Sequence, residues 1–573
     1  MSIGSFVFML HSHLPFYRKA GMWPFGEENL YECMAETYIP LLNAIDELYE
    51  EGILSKLTVG ITPILAEQLN DEHLKQGFID YIDTRITSVA EDLVRYPNDS
   101  VAHSQHLKYL AGYYHDWFTN IKDCFINKYN KDLIGAFSKF QELGAIEITT
   151  SGATHGFSPL LSTDSSLNAQ FKVGSETTKR LFGKKARGAW LPECAYRPGY
   201  EAINSKGEKY WRPPVEVAMQ NSGIEYFFTE SHVIEGGVSV GNRRIIGAYG
   251  NIEYIPLPPR PATGLTTYEA YWLPGAQVAV MGRNDRAGFQ VWSAGDGYPG
   301  DGCFREFHKK DANSGMHYWR VTSSTTDLGD KMLYDPVLAL SKINENSDHY
   351  VGLLQDLLKG HKDSTGKQGL IMVSFDTELF GHWWFEGVEF IKQVVRKLHK
   401  YADGVERHTT SEYLDKYPPT SAISIPESSW GQGGHFWVWQ NHQTEWMWPI
   451  IHSAEKRMED LASKYSNIPE DKVLHRALNQ LARENLLVQS SDWPFLVTTM
   501  QARDYAVERF RKHQDNFEAL ASMIENQSID EAFLIELEST NNPFGDIDYR
   551  AYMPIEEGQI PQQQPKLQAA YAK

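Results

Sequence analysis

Two acidic residues, Glu193 and Asp376, each close a short apolar run: Arg-Gly-Ala-Trp-Leu-Pro-Glu193 and Leu-Ile-Met-Val-Ser-Phe-Asp376. Two further runs end in imidazoles, at His11-Ser-His13 and at His155. A polar side chain at the carboxyl end of a buried strand is where barrel enzymes keep their chemistry. These ends predict one pocket holding two carboxylates and three imidazoles. Paired carboxyls can break a glycosidic bond: one attacks or positions water, and the other gives its proton to the leaving oxygen. Negative charge beside that acid raises its pKa and keeps it loaded. Carboxyls about 5–5.5 Å apart go with a covalent glycosyl intermediate and retained configuration.

Blander roles compete. Glu193 could pair with Arg197, four residues on, and Asp376 could cap a helix. Residues i and i+2 of a strand share a face, so His11 and His13 could both enter the pocket. With His155 and an aspartate they also describe a metal-dependent hydrolase, although a lone histidine is commonly a satisfied core residue. Trp430 lies in Ser-Ser-Trp430-Gly-Gln-Gly-Gly. A polar, glycine-rich loop cannot bury an indole by itself, so this one suits a stacking platform. Trp292, Trp383, Trp384, Trp437, Trp439, Trp446 and Trp448 cluster near possible glycan contacts, and most of them read as packing.

Seven strand-like runs must position these groups: 5–10, 57–63, 146–151, 187–191, 225–229, 277–282 and 369–375. Helical patterns between them, such as 34–50 and 386–401, point to parallel βα units. The expected fold is α/β: an incomplete (β/α)7 TIM-like barrel over residues 1–417. A short run near 406–410 is the candidate eighth strand. A mostly helical insert fills 64–145, for example 103–127. A Gly/Pro-rich connection at 230–276 reads as a lid, and a third long connection, 283–365, ends in a helix over 335–360. Past Pro418, helical periodicity over 441–465, 471–488 and 498–525 predicts an all-helical C-terminal domain, 418–550. Residues 551–573 read as a disordered tail.

A length of 573 residues exceeds one ordinary core. The net charge of −20 argues against a nucleic-acid backbone as partner. Fifteen Trp, 30 Tyr and 27 Phe are a heavy aromatic load: part is core, and the rest suits platforms for flat-faced ligands such as sugars or bases. Cys33, Cys124, Cys194 and Cys303 are scattered, with no metal or disulfide spacing. They suit free thiols in a reducing cytoplasm. The N-terminal run lacks a basic start and is broken at His11, as a first strand would be rather than a signal peptide. No stretch has the length and apolarity of a membrane span.

Five segments now match a family in order: His11-Ser-His-Leu-Pro15, Ser151-Gly-Ala-Thr-His-Gly-Phe-Ser158, Trp190-Leu-Pro-Glu-Cys-Ala-Tyr-Arg-Pro198, Ser374-Phe-Asp-Thr-Glu-Leu-Phe-Gly-His-Trp-Trp384 and Ser491-Asp-Trp-Pro-Phe495. The chain resembles glycoside hydrolase family 57 up to about residue 550, and within it the α-1,4-glucan branching enzymes. The resemblance implies a retaining mechanism without metal or other cofactor, with Glu193 as nucleophile and Asp376 as general acid/base. It implies that His11, His13 and His155 line the donor-sugar site. It maps glucan contacts onto Arg283, Gly300, Trp430, Asp492 and Gln501, with Trp292 and Trp439 nearby. Asp492 and Gln501 are nine apart, so one straight helix would point them to opposite sides; if both touch sugar, the chain must bend between them, with Pro494 as the candidate place. A lid tyrosine that shields the intermediate from water maps best onto Tyr249. The lid is longer than the family's usual one, which leaves Tyr254 and Tyr268 as alternatives. The expected activity is transfer of an α-1,4-glucan segment to a glucan 6-hydroxyl, as in glycogen-type synthesis. A family 57 hydrolase or 4-α-glucanotransferase, a metallohydrolase and a non-catalytic glucan-binding protein remain open.

Overall fold

The computed structural model describes residues 2–98, 103–203, 207–238, 246–247, 250–251, 259–292 and 297–554. Seven parallel strands form its centre: β1 (Gly4–Ser12), β2 (Leu57–Ile61), β3 (Ile146–Ser151), β4 (Gly188–Trp190), β5 (Tyr226–Thr229), β6 (Ala279–Gly282) and β7 (Gly369–Asp376). Their order across the sheet is β6-β5-β4-β3-β2-β1-β7. All nine residues of β1 and all but the last of β7 are buried. Parallel strands covered on both faces carry such continuous apolar runs, which is why the sequence reveals them.

Alternation along the strands sorts their side chains into two layers. Phe6, Phe8 and Leu10 pack outward with the helices, while Val7 and Met9 face inward with Trp190, Phe228, Met281 and Met372. His11 continues the inward row of β1, and Asp376 continues the inward row of β7. The β1–β7 register sets these two residues side by side.

The run near 406–410 is a three-residue strand, Val405–Arg407, paired with Gly4–Phe6 of β1. It shares the β2 side of β1, since β7 occupies the other edge, and does not stand between β6 and β7. That interval is crossed by two backbone hydrogen bonds, Leu370 N to Tyr268 O (2.8 Å) and Asn284 N to Met372 O (2.7 Å). An antiparallel strand, Ala270–Trp272, also joins β6 there; its three residues are too few to register against the Gly/Pro-rich sequence around them.

The insert is helical at Pro63–Asn70, Glu72–Asn98, Ser104–Asp123 and Leu133–Glu142. C-terminal helices run over Met447–Lys464, Val473–Val488, Asp492–Thr499, Arg503–Glu525 and Glu531–Thr540. The expected helix over 498–525 is therefore two. Met500 breaks it in the left-handed conformation (φ 59°), whereas Pro494 sits in the first turn of the shorter helix, where its ring is tolerated. Packed chain also continues past 550, because Ala551 and Tyr552 are buried in a 3₁₀ turn, Tyr549–Tyr552. No described helix is long and apolar enough to cross a membrane.

Candidate active site

After β4 the chain turns through Pro192–Cys194, with Glu193 at φ 61°, ψ 25° and Cys194 at φ 50°. Left-handed backbone at a non-glycine residue costs about 1–3 kcal/mol and persists only where the surroundings enforce it. Here a distant segment does so. Tyr196 and Ser428 exchange backbone hydrogen bonds of 2.8 and 3.1 Å, and the Trp430 N–H donates to the Glu193 carbonyl at 3.0 Å. The buried carboxylate then accepts one donor on each oxygen: the Trp430 indole N–H on Oε2 (2.7 Å) and the Ser491 hydroxyl on Oε1 (3.0 Å). Arg197 instead donates to the carbonyls of Pro198 and Pro213, and forms no ion pair with Glu193.

The three histidines converge on the same place. His11 stacks on Trp190 with centroids 4.8 Å apart, and His13 stacks on His155 at 3.8 Å. The Nε2 atoms of His11 and His155 lie 3.1 Å apart. His155 Nδ1 contacts Ser491 Oγ at 2.9 Å, and His13 bridges Thr62 and Asp492. Among the described residues no three His, Cys, Asp or Glu side chains group as ligands for an ion.

Asp376 closes β7, half-buried, and precedes the turn Thr377–Leu379 without making a side-chain capping bond. Burial pushes its carboxyl well above the ordinary range; the negative charge of Glu378 adds to this, and Arg283 opposes it. Burial likewise lifts Glu193 to about 7. The Trp430 hydrogen bond and His13 pull it down, and Asp492 and Asp376 push it up. His11 and His155 are held well below the usual imidazole value, chiefly by burial, so both are neutral at pH 7. Two carboxyls with raised pKa values, framed by neutral imidazoles and indoles, can share nucleophile and acid duties.

Residues 7–426 match the family model for glycosyl hydrolase family 57. The chain belongs to glycosyl hydrolase family 57. Residues 450–552 match a second model, described as 1,4-alpha-glucan branching enzyme, C-terminal. A 1,4-alpha-glucan branching enzyme of Thermococcus kodakarensis is 41% identical over 546 residues, 94% of this chain and 77% of that protein. A crystal structure of a branching enzyme from Pyrococcus horikoshii aligns with a TM-score of 0.84 at 38% identity, covering 99% of this chain and 98% of that one. The alpha-amylase AmyC of Thermotoga maritima aligns at 0.81 and 29% identity, over 97% and 100%.

The other residues expected from the family 57 resemblance divide. Arg283, just past β6, is buried in an ion pair with Glu230 (2.8 Å) and lies 6.0 Å from the Trp292 ring centroid. Trp292 packs 6.2 Å from Trp430 and 6.4 Å from Phe375, which makes one aromatic wall between the two carboxyl-bearing strands. Asp492 joins through His13. Gly300 ends the turn Tyr298–Gly300, anchored by Tyr298 against Phe390, and no described contact ties it to the carboxyl pair. Gln501 is exposed just beyond the break at Met500. Tyr249 and Tyr254 lie outside the described residues. Tyr268 stacks on His361 at 4.4 Å.

Trp439 sits where the packing reading of the tryptophans puts it. It is 1% exposed, stacked on Phe157 at 4.5 Å, and fills the space beneath Gly431, where a Cβ would come within 2.5 Å of its ring. It supports the Trp430 loop from below and offers no face to a sugar. Trp439→Ala should cost about 3–5 kcal/mol of stability, read from the urea midpoint. An unchanged midpoint with weakened glucan binding would return this indole to the sugar site.

Four participants went unmarked as site residues in the sequence: Ser491, Trp190, Glu230 and Glu378. Glu230 follows β5 directly, so the strand-end rule that marked Glu193 applies to it equally. Glu378 is buried, lifted to about 7, and accepts a hydrogen bond from Tyr38. Tyr38 ends a π-helical turn, Met34–Tyr38, a distortion common at functional sites.

Proposed function

We propose that the protein is a 1,4-α-glucan branching enzyme acting by retaining double displacement, with Glu193 as nucleophile and Asp376 as general acid/base. Glu193 attacks C1 of an internal glucosyl unit while the C1–O4 bond breaks and Asp376 gives its proton to O4. Asp376, now a carboxylate, takes the proton of an acceptor 6-hydroxyl, whose oxygen attacks C1 and displaces Glu193. Two inversions leave an α-1,6 branch. His11, His13 and His155 line the donor-sugar site, and Trp430 with Trp292 offers indole faces. Arg283, Asp492, Gly300 and Gln501 extend the glucan path. A tyrosine of the 230–276 connection, Tyr249 by position, shields the intermediate.

One observation carries this reading. The segment matching branching-enzyme C-terminal sequence supplies Ser491 to Glu193 and Asp492 to His13, so the helical part completes the pocket instead of decorating it. Transfer outruns hydrolysis only where water is excluded and an acceptor is held in place, and an added wall serves both ends. The similarity to an α-amylase supports a hydrolytic reading of the same carboxyl pair. We also read the seven strands as an incomplete (β/α)7 barrel, supported by the two hydrogen bonds crossing from the flanks of β6 to β7. The substrate is then amylose or a glycogen-like polymer. We place the reaction in the cytoplasm, where the four free thiols stay reduced.

Incubation with amylose, followed by enzymatic debranching, tests the function. New chains released by α-1,6 cleavage, with few added reducing ends beforehand, are the expected result. Reducing ends that rise without α-1,6 linkages would make the protein a hydrolase.

A further inference from the structure

We propose that Ser491 is a positioning residue for Glu193, its hydroxyl ending a one-way chain of hydrogen-bond donors that starts at His11, passes through His155 and holds the carboxylate charged and aimed. The inference rests on Glu193 being the nucleophile, and gives Ser491 a role beyond walling the pocket.

Backbone on both sides fixes Ser491, which is fully buried. Its N–H donates to the His155 carbonyl (3.1 Å), and its own carbonyl accepts from Phe495 (3.2 Å). The direction of the side-chain bonds follows from counting protons. A hydroxyl has one hydrogen, and a carboxylate can only accept, so Ser491 Oγ–H points at Glu193 Oε1 (3.0 Å). The contact of 2.9 Å between Ser491 Oγ and His155 Nδ1 then needs the proton on Nδ1. A neutral ring protonated at Nδ1 has a bare Nε2, so the contact of 3.1 Å with His11 needs the proton on His11 Nε2. That leaves His11 Nδ1 bare. It is a buried atom with no hydrogen-bond partner, where a proton would be an unsatisfied donor. Every link is thus assigned with both rings neutral and all donors aimed at Glu193. A proton on Glu193 Oε1 would reverse the last link and disturb each one behind it.

The titratable groups facing Glu193 are His155 at 3.7 Å, His13, Asp492 and Asp376. Substitution of Ser491 leaves all four in place. A donor to a carboxylate lowers its pKa, so removing the hydroxyl must raise that of Glu193. The acid limb of kcat/KM belongs to the free enzyme's ionised nucleophile, and must move to higher pH.

The test is the pH profile of kcat/KM on amylose for the parent, Ser491→Ala and Ser491→Cys. Ser491→Ala should shift the acid limb up by about one to two pH units and lower kcat more than KM. Ser491→Cys, similar in shape but a weak donor, should fall between. A purely packing role predicts one loss factor at every pH, and an acid limb that stays put in both variants overturns the proposal. If Ser491→Ala fails to fold, an unmoved limb in Ser491→Cys overturns it equally. A parent protein inactive on amylose would instead overturn the functional reading.

Discussion

Glu193→Gln should reduce turnover on amylose by a factor on the order of 10⁴–10⁶ while leaving the fold and glucan binding in place. The amide keeps the shape of the side chain. Its oxygen can still accept from Trp430 or Ser491, but it has no charge with which to form a glycosyl ester. The same substitution should stabilise the protein at alkaline pH. The folded-state pKa of Glu193 is raised from 4.5 to about 7, so the folded chain holds this proton more tightly than the unfolded chain. The stability that this linkage provides is fully present below pH 4.5 and is lost as pH rises through 7. Glutamine has no proton to lose. The variant's advantage should therefore grow across that window, to on the order of 3 kcal/mol at most. Urea midpoints at pH 4 and pH 8.5 measure it. Full turnover in the variant would remove Glu193 from the chemistry. A flat stability difference would mean that burial does not set its pKa.

The strands were legible because parallel strands buried on both faces leave unbroken apolar runs, and because their polar ends are unusual in such company. Glu193, Asp376, His11 and His155 all came from that one contrast. Strand ends also predict a shared pocket, since inward alternation carries His11 and Asp376 to the same layer. What stayed hidden depends on distance or on neutral residue types. The indole of Trp430 reaches Glu193 across 237 positions, and nothing local to either residue announces it. Ser491 is small and polar, a type found throughout loops. Met500 has no marked preference for the left-handed conformation it adopts, so the break fell to Pro494 in expectation and to Met500 in fact. Trp430 and Trp439 stand nine apart in one tryptophan-rich stretch, yet one hydrogen-bonds Glu193 and the other is core. Only the packing of Phe157 and Gly431 separates them.

Asp376→Asn should divide the two chemical steps. On amylose, loss of a general acid costs about 10²–10⁴-fold, because the departing O4 must leave unprotonated. A maltooligosaccharide carrying a fluoride or nitrophenyl leaving group needs no such proton, so its first step should recover and release the leaving group in a burst. Asparagine cannot take a proton from the incoming hydroxyl, so the glycosyl-enzyme should then accumulate on Glu193. Azide needs no base and should discharge it as the α-glycosyl azide, because attack on the intermediate completes a second inversion. Burial and the Glu378 charge raise the Asp376 carboxyl well above the ordinary range, which favours the proton that a general acid must carry. Loss of that proton sets the alkaline limb of the profile, and with an activated substrate the limb should vanish in the variant. A β-glycosyl azide would place the nucleophile elsewhere. Equal losses on activated and natural substrates would deny Asp376 the acid role and leave it only an electrostatic one.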